Sequence, residues 1–259
     1  SFDVVFIAIH GTPGEDGKLQ AYLDDLNIPY TTSGSAAASL SFNKAKCNDY
    51  LRQNGVLCAT SYLLHKKTII NEKKIINRVG LPCFVKPNKN GSSFGISKVT
   101  SKEKLQEAIK NAFTYDDEIL IESFMEGKEV TCGIHNFGDE LTTFPTTEIV
   151  SENDFFDFEA KYKGKSQEIT PARISDEVAK KIAHSTKEIY RLLDLNGIAR
   201  IDFIIQENEP YIIEANTVPG LSEESIIPKQ AACAGVSLKD LFRMAVRHAL
   251  KKRGPISES

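Results

Sequence analysis

The chain has 259 residues, of which 41% are apolar and 26% charged, with a formal net charge of −3. That is the make-up of a globular chain long enough for a large core and more than one domain. It excludes a general basic footprint for nucleic acid, and no apolar run reaches the length of a membrane span. The five cysteines are scattered without a C-x-x-C pair, which suits reduced thiols in a cytoplasm.

Val4 to Ile9 is a continuous apolar run and predicts a strand buried on both faces. It ends in a Gly-rich turn, His10 to Gly17, and a short helix follows with Leu19, Tyr22, Leu23 and Leu26 on one side. Loops at strand ends of α/β folds favour ligands, so His10 and Glu15 are candidate substrate groups; equally, they cap the helix and loop. A helix is predicted from Ser41 to Gln53, stopped by Asn54-Gly55, then extended chain over Val56–Leu64 and a charged helix over Lys66–Arg78.

Cys83-Phe-Val-Lys-Pro87 reads as a short strand that feeds the flexible loop Asn88 to Gly95, and Ile96–Val99 returns. The loop offers backbone N–H groups and hydroxyls, with Lys86 nearby, as phosphate would require, although it is not a P-loop. Ser101 is read as the cap of a helix with Leu105, Ala108, Ile109 and Ala112 inward. Glu118–Glu122 is a strand, and Glu129 opens the next, where its carboxylate either meets sugar hydroxyls or is solvated. Ser151 to Thr170 lacks periodicity and suits a lid or binding loop. Val178–Leu195 is a helix closed by Asn196-Gly197. The last helix, Leu238–Leu250, has Ser237 as its N-cap.

Ile198 to Gly220 holds the densest chemistry. Two apolar runs flank a break at Gln206–Pro210, a hairpin signal. Pairing Ile205 with Tyr211 sets Asp202 opposite Glu214 and Arg200 opposite Asn216. Facing carboxylates repel, and a bound cation removes the conflict; Asp, Glu and Asn oxygens suit magnesium. The plain alternative, a polar face turned to water, leaves unexplained why both strands turn polar at one end.

Five collinear runs resemble the ATP-grasp ligases: Cys83-Phe-Val-Lys86-Pro with Gly91-Ser-Ser-Phe-Gly95, Leu120-Ile-Glu122, Arg200-Ile-Asp202, and Glu214-Ala-Asn216-Thr-x-Pro-Gly220. Three more narrow the resemblance to the D-alanine–D-alanine ligase family: His10-Gly-x-x-Gly-Glu-Asp-Gly17-x-Leu-Gln, Ile28-Pro-Tyr-Thr-x-Ser-Gly34 and Glu159-Ala-Lys-Tyr162. The resemblance implies an α/β (α+β) chain with an ATP-grasp fold. ATP would lie between two α+β domains, 36–124 and 125–259, preceded by a partial parallel-sheet domain, 1–35. It also implies the reaction: ATP phosphorylates one D-alanine, a second D-alanine attacks the acyl phosphate, and a tetrahedral intermediate collapses to D-alanyl-D-alanine for peptidoglycan.

Carried over by position, Lys44 and Lys86 would contact phosphates, and Ser92 and Ser93 would lie in the covering loop, Ser92 also holding substrate. Glu122, Ser123 and Met125 would line the adenine site and Glu129 the ribose site. Lys161 and Tyr162 would belong to the lid, and Asp202, Glu214 and Asn216 would bind two magnesium (or manganese) ions. Arg200 and the Gly220 amide would face the oxyanion, Ser225 the second substrate's carboxylate, and His10, with Glu15, the first substrate.

The resemblance further implies a cytoplasmic homodimer. Two departures stand out: the family's first strand–helix unit has no counterpart before Val4, and Asn43 replaces the usual Asp. The competing expectations are a ligase using D-lactate or D-serine as acceptor, another ATP-grasp carboxylate–amine ligase, and a non-catalytic nucleotide-binding fragment.

Overall fold

The structure, a computed structural model, describes residues 2–91, 94–151 and 166–251. The predicted strand at Val4–Ile9 is extended chain with one parallel bridge, Val5 to Tyr30, fixed by Val5 N–H to Pro29 O (2.9 Å) and Thr31 N–H to Val5 O (3.2 Å). Ile7 is buried but Ile9 is half exposed, because no second described strand covers its other side. Helix α1 (Lys18–Asp25) buries Leu23 and Gln20, while Tyr22 and Leu26 of the predicted apolar face are exposed.

The single helix expected over Ser41–Gln53 is two, α2 (Ser35–Phe42) and α3 (Lys44–Gln53). Asn43, at φ −88° and ψ 92°, leaves the helical region between them and caps α3 through Lys46 N–H. The expected Lys66–Arg78 helix is shorter, α4 (Glu72–Val79), because Asn71 caps it by accepting from Lys74 N–H.

A four-stranded antiparallel sheet follows, from β1 (Ser61–His65), β2 (Cys83–Pro87), β3 (Ser97–Val99) and β4 (Glu118–Ser123), in the order β1-β4-β2-β3. Its inner face packs Leu64, Val85, Ile119 and Ile121 against Ile75 and Val79 of α4 and Leu105 and Ile109 of α5 (Leu105–Ala112). Ser101 precedes a 3-10 turn ahead of α5 and makes no side-chain cap bond there.

The second sheet is six-stranded and antiparallel. It is built from β5 (Lys128–His135), β6 (Thr142–Thr143), β7 (Thr147–Ser151), β8 (Ser166–Ile169), β9 (Ala199–Gln206) and β10 (Glu209–Asn216). Helix α6 (Asp176–Leu192), capped by Ser175, lays Ile182, Ile189 and Tyr190 on Val130, Ile201 and Phe203. Ala37, Cys47 and Leu51 of α2 and α3 enter the same core. That core carries α3 to the edge of the β9–β10 hairpin.

The hairpin turns through Glu207 and Asn208, both at positive φ (53° and 63°), as a two-residue primed turn requires. The tight turn starts the register one residue away from that expected, with Ile205 opposite Pro210 and Ile204 opposite Tyr211. A bulge between Ile212 and Glu214 then absorbs the difference, so Asp202 pairs with Glu214 and Arg200 with Asn216, as read from the sequence.

The last two described helices are α7 (Ile226–Cys233) and α8 (Leu238–Lys251), with Ser237 accepting from Asp240 N–H at 3.1 Å. No described helix is long and apolar enough to cross a membrane. Buried Gln230 of α7 patches the ladder where β6 gives way to β7. It accepts from Gly133 N–H (3.0 Å) and donates to Thr131 O (2.9 Å) and Thr147 Oγ1 (3.0 Å). A Cβ on Gly133 would lie 2.5 Å from Ile227 Cδ1 and 2.6 Å from Gln230 Oε1. Gly133→Ala is therefore expected to destabilise the fold by about 1–3 kcal/mol through overpacking. The check is a lower denaturant midpoint at an unchanged m-value; an unchanged midpoint would refute it.

Candidate functional site

Two cavities open between the sheets and the N-terminal segment. The larger, about 650 Å³, lies between the four-stranded sheet and the hairpin. Phe84, Phe124, Ile204 and Ile212 give it apolar walls, and Lys86, Glu122, Ser123, Met125 and Glu129 also line it. The smaller, about 390 Å³, is lined by His10, Glu15, Asn216, Gly220 and Ser225 among others. Lys44, Arg200, Glu214 and Ile226 line both. An apolar slot with a few polar groups suits a flat heterocycle, and a smaller polar chamber suits a small charged molecule.

In the larger cavity, β2 and β4 run side by side and bring Lys86 and Glu122 into a buried ion pair. Asn48 of α3 donates its amide to Glu122 Oε1 at 2.8 Å, so the carboxylate has a second partner. The Ser123 hydroxyl accepts from Thr60 N–H at 3.1 Å.

At the shared wall, the Arg200 guanidinium forks onto Asp202, Nε to Oδ1 and Nη2 to Oδ2, both 2.8 Å. Burial alone would lower the Arg200 pKa, but Asp202 beside it reverses the balance and raises it above its usual value. The Thr131 hydroxyl donates to Asp202 Oδ1 at 2.5 Å. Lys44 Nζ lies 3.5 Å from Glu214 Oε2 and donates to Asn90 O at 2.9 Å. The cations facing the two acids are thus Arg200 and Lys44. Arg200, expected to face an oxyanion, has its fork on Asp202. Asn216 Oδ1 accepts from Val218 N–H at 3.0 Å. Among the described residues, no three His, Cys, Asp or Glu side chains form a ready metal cluster. The donor set of two carboxylates and one amide oxygen on the hairpin is nonetheless hard oxygen, the type magnesium takes.

In the smaller cavity, Glu15 bends back to accept from Gly11 N–H at 2.8 Å and sits 3.5 Å from His10 Nδ1. The hydrogen bond with Glu15 raises the His10 pKa above its ordinary value against the opposing effect of burial. Ser225 occupies the N-cap position of α7 without capping it; its hydroxyl meets Ser222 Oγ at 2.8 Å. A Cβ on Gly220 would stand 2.7 Å from Ser225 Oγ, so glycine permits this close approach. Ser92, Ser93, Lys161 and Tyr162 lie outside the described residues.

The structure adds groups that sequence reasoning missed. Thr131 reaches Asp202 because β5 pairs with β9 at that register, a long-range pairing with no local signal. Glu148 on β7 is buried at the edge of the larger cavity and accepts from Arg173 N, Nε and Nη2, with Lys128 Nζ at 3.2 Å. Burial pushes the Cys47 thiol up to about 12 and Cys58 to about 11, which disfavours the thiolate at these two positions.

The chain is similar to known proteins over nearly its whole length. The family model described as "D-ala D-ala ligase C-terminus" matches residues 51–247, and that described as "D-ala D-ala ligase N-terminus" matches residues 1–33. The chain is 53% identical over 250 residues to a D-alanine–D-alanine ligase from Flavobacterium johnsoniae, covering 96% of this chain and 77% of that one. It is 50% identical to one from Christiangramia forsetii, covering 97% and 77%. Among solved structures, the Bacillus anthracis D-alanine–D-alanine ligase complexed with ATP has a TM-score of 0.86 at 28% identity, covering 97% of this chain and 80% of that one. The VanG D-Ala:D-Ser ligase from Enterococcus faecalis has a TM-score of 0.85 at 31% identity, covering 95% and 73%.

The Glu148 cluster has a pH signature. Hydrogen bonds from Arg173 hold the Glu148 carboxyl down to about 2, below its ordinary 4.5. Its contribution to stability is fully present above about pH 4.5 and is lost as pH falls through 2. Arg173→Ala is expected to flatten the fall in Tm between pH 5 and pH 2. Parallel Tm–pH curves for parent and variant would refute this.

Proposed function

The chain belongs to the D-alanine–D-alanine ligase family, and from that premise we propose that it joins two D-alanines, with ATP converted to ADP and phosphate. One observation supports this most: the apolar slot and the polar chamber share a wall made of Lys44, Arg200 and Glu214. A nucleotide in the first and an amino acid in the second would bring phosphate and carboxylate together at that wall.

In this reading the purine lies against Phe84, Phe124, Ile204 and Ile212, with Glu122, Ser123 and Met125 at its polar edge and Glu129 at the ribose. The Lys86 and Lys44 ammonium groups face the phosphates. Phosphoryl transfer is mostly positioning and charge neutralisation, so fixed cations are the main tools. Asp202, Glu214 and Asn216 would hold magnesium, which when bound neutralises phosphate charge. Arg200, steered by its fork on Asp202, would present positive charge to the oxygen of the attacked carbonyl, together with the Gly220 amide. His10 and Glu15 would hold the first D-alanine, and Ser225 the carboxylate of the second.

The test is phosphate release with ATP, magnesium and D-alanine, with the product identified by mass. D-alanyl-D-alanine and stoichiometric ADP are expected. ATP binding without D-alanine-dependent phosphate release would refute the ligase reading. In competition, exclusive formation of D-alanyl-D-serine or of the D-lactate ester would refute D-alanine as acceptor. Glu214→Gln is expected to cut turnover by about 100-fold or more with an unchanged circular dichroism spectrum. Turnover near that of the parent would refute the metal assignment.

A further inference from the structure

Asn88 is the first residue after β2 and is fully buried. An asparagine side chain has one oxygen acceptor and two N–H donors, and every one of these is engaged. Oδ1 accepts from Ala45 N–H at 2.8 Å. Nδ2 donates to Asn43 Oδ1 and to Glu118 Oε2, both at 3.0 Å. The backbone is engaged as well: Asn88 N–H donates to Glu118 O (3.0 Å), and Asn88 O accepts from Lys44 N–H (3.2 Å).

These bonds complete the start of α3. An isolated helix leaves its first four N–H groups unpaired. Here Asn43 N–H goes to Ser39 O at 3.3 Å, Lys44 N–H to Asn88 O, Ala45 N–H to Asn88 Oδ1 and Lys46 N–H to Asn43 Oδ1, after which Cys47 N–H to Asn43 O (2.9 Å) begins the regular ladder. Half of that cap comes from Asn88, a residue of the other sheet's loop. The helix end therefore keeps no first-turn N–H for an anion, and Lys44 Nζ is the charge it offers. Nζ in turn donates to Asn90 O, two residues beyond Asn88. The helix start, its lysine and the stretch 88–90 form one closed ring of hydrogen bonds.

We propose that Asn88 is a positioning residue that fastens Lys44 to the Asn88–Asn90 stretch, so that both meet the nucleotide phosphates as one unit. This rests on the reading of Lys44 as a phosphate contact. Asn88 itself lines neither cavity, and neither does Glu118. Its effect passes through the placement of Lys44, where a misplacement of about 1 Å is costly to transfer chemistry. Asn43 serves only as an acceptor in this ring, so the Asp usual at that position in the family would make the same two bonds.

The test uses the full chain and four variants, with kcat, KM for ATP, KM for each D-alanine, and Tm measured for all. Asn88→Leu keeps the branch at Cγ and removes the three side-chain bonds. It is expected to lower kcat/KM for ATP about 10- to 100-fold. KM for D-alanine should stay within about twofold. Asn88→Asp turns one carboxylate oxygen toward Asn43 Oδ1 and Glu118 Oε2 and should weaken ATP use likewise. Adding Glu118→Gln restores a donor opposite Asp and should recover most of the loss. Parent-like ATP kinetics in both single variants would overturn the proposal. So would a rise in KM for ATP and D-alanine together, with a lower Tm and no rescue, which is the mark of a merely structural residue. Lys44→Ala separates the two levels. If it leaves KM for ATP unchanged, the phosphate reading fails and the inference falls with it. If it weakens ATP while the Asn88 variants do not, only the positioning role falls.

Discussion

Two carboxylates held opposite each other on neighbouring strands, one buried and one half-buried, need positive charge beside them. Asp202 and Glu214 are in that position, and the rest of the site is arranged around it. Removing a charge from water costs several kcal/mol per ion, repaid only where geometry and extra hydrogen bonds are good. Asp202 meets that demand with a bidentate arginine from its own strand and a threonine hydroxyl from the next. Glu214 meets it with a lysine from α3. The first solution is local and rigid, while the second spans two parts of the fold. Any movement of Lys44 changes the surroundings of Glu214, which couples the acid to the position of α3.

The hairpin could not present these acids together without its bulge. A two-residue turn at Glu207 and Asn208 enforces a register that would misalign Asp202 and Glu214 by one residue. Because side chains alternate faces, a one-residue slip puts one acid on the wrong side of the sheet. The extra residue near Ile213 corrects this and leaves the turn tight. A functional requirement is thus written into backbone irregularity, a common use of bulges beside active sites.

This explains what the sequence did and did not disclose. Alternation along Ile198–Gly220 exposed the pairing of Asp202 with Glu214, since it depends only on local period and the spacing across a turn. The expected register was right at the acids and displaced by one at the turn, because positive φ at Glu207 and Asn208 leaves no local mark as clear as Asn-Gly. The family motifs gathered Lys44, Lys86, Glu122, Glu129 and Ser225 around the cavities, but not their partners. Asn48, Thr131 and Asn88 are ordinary polar residues in sequence. Their roles arise from contacts across dozens of positions: 74 between Asn48 and Glu122, 71 between Thr131 and Asp202 and 43 between Asn88 and Ala45. The break in the Ser41–Gln53 helix was hidden for a similar reason. Asn43 is tolerable inside a helix by propensity and leaves it because its side chain has caps to make on α3 and with Asn88.

The capping of α3 also bears on how charge is delivered. A helix start is commonly an anion site because its amides point outward unpaired. Here Asn88 and Asn43 take those amides, so the charge offered at the helix end is the Lys44 ammonium, which donates to Asn90 O and lies beside Glu214. Fixed amides suit a ligand whose phosphates stay in place. On the proposed reading, a lysine tethered at its base by Asn88 and held at its tip by Asn90 O and Glu214 suits a phosphoryl group passing from nucleotide to carboxylate across the wall between the two cavities. Such an arrangement demands a firm base, because a loose stem would scatter the charge over both chambers. It accounts for placing a fully satisfied, buried amide under the helix, where a simple surface cap would have been enough to make α3 stable.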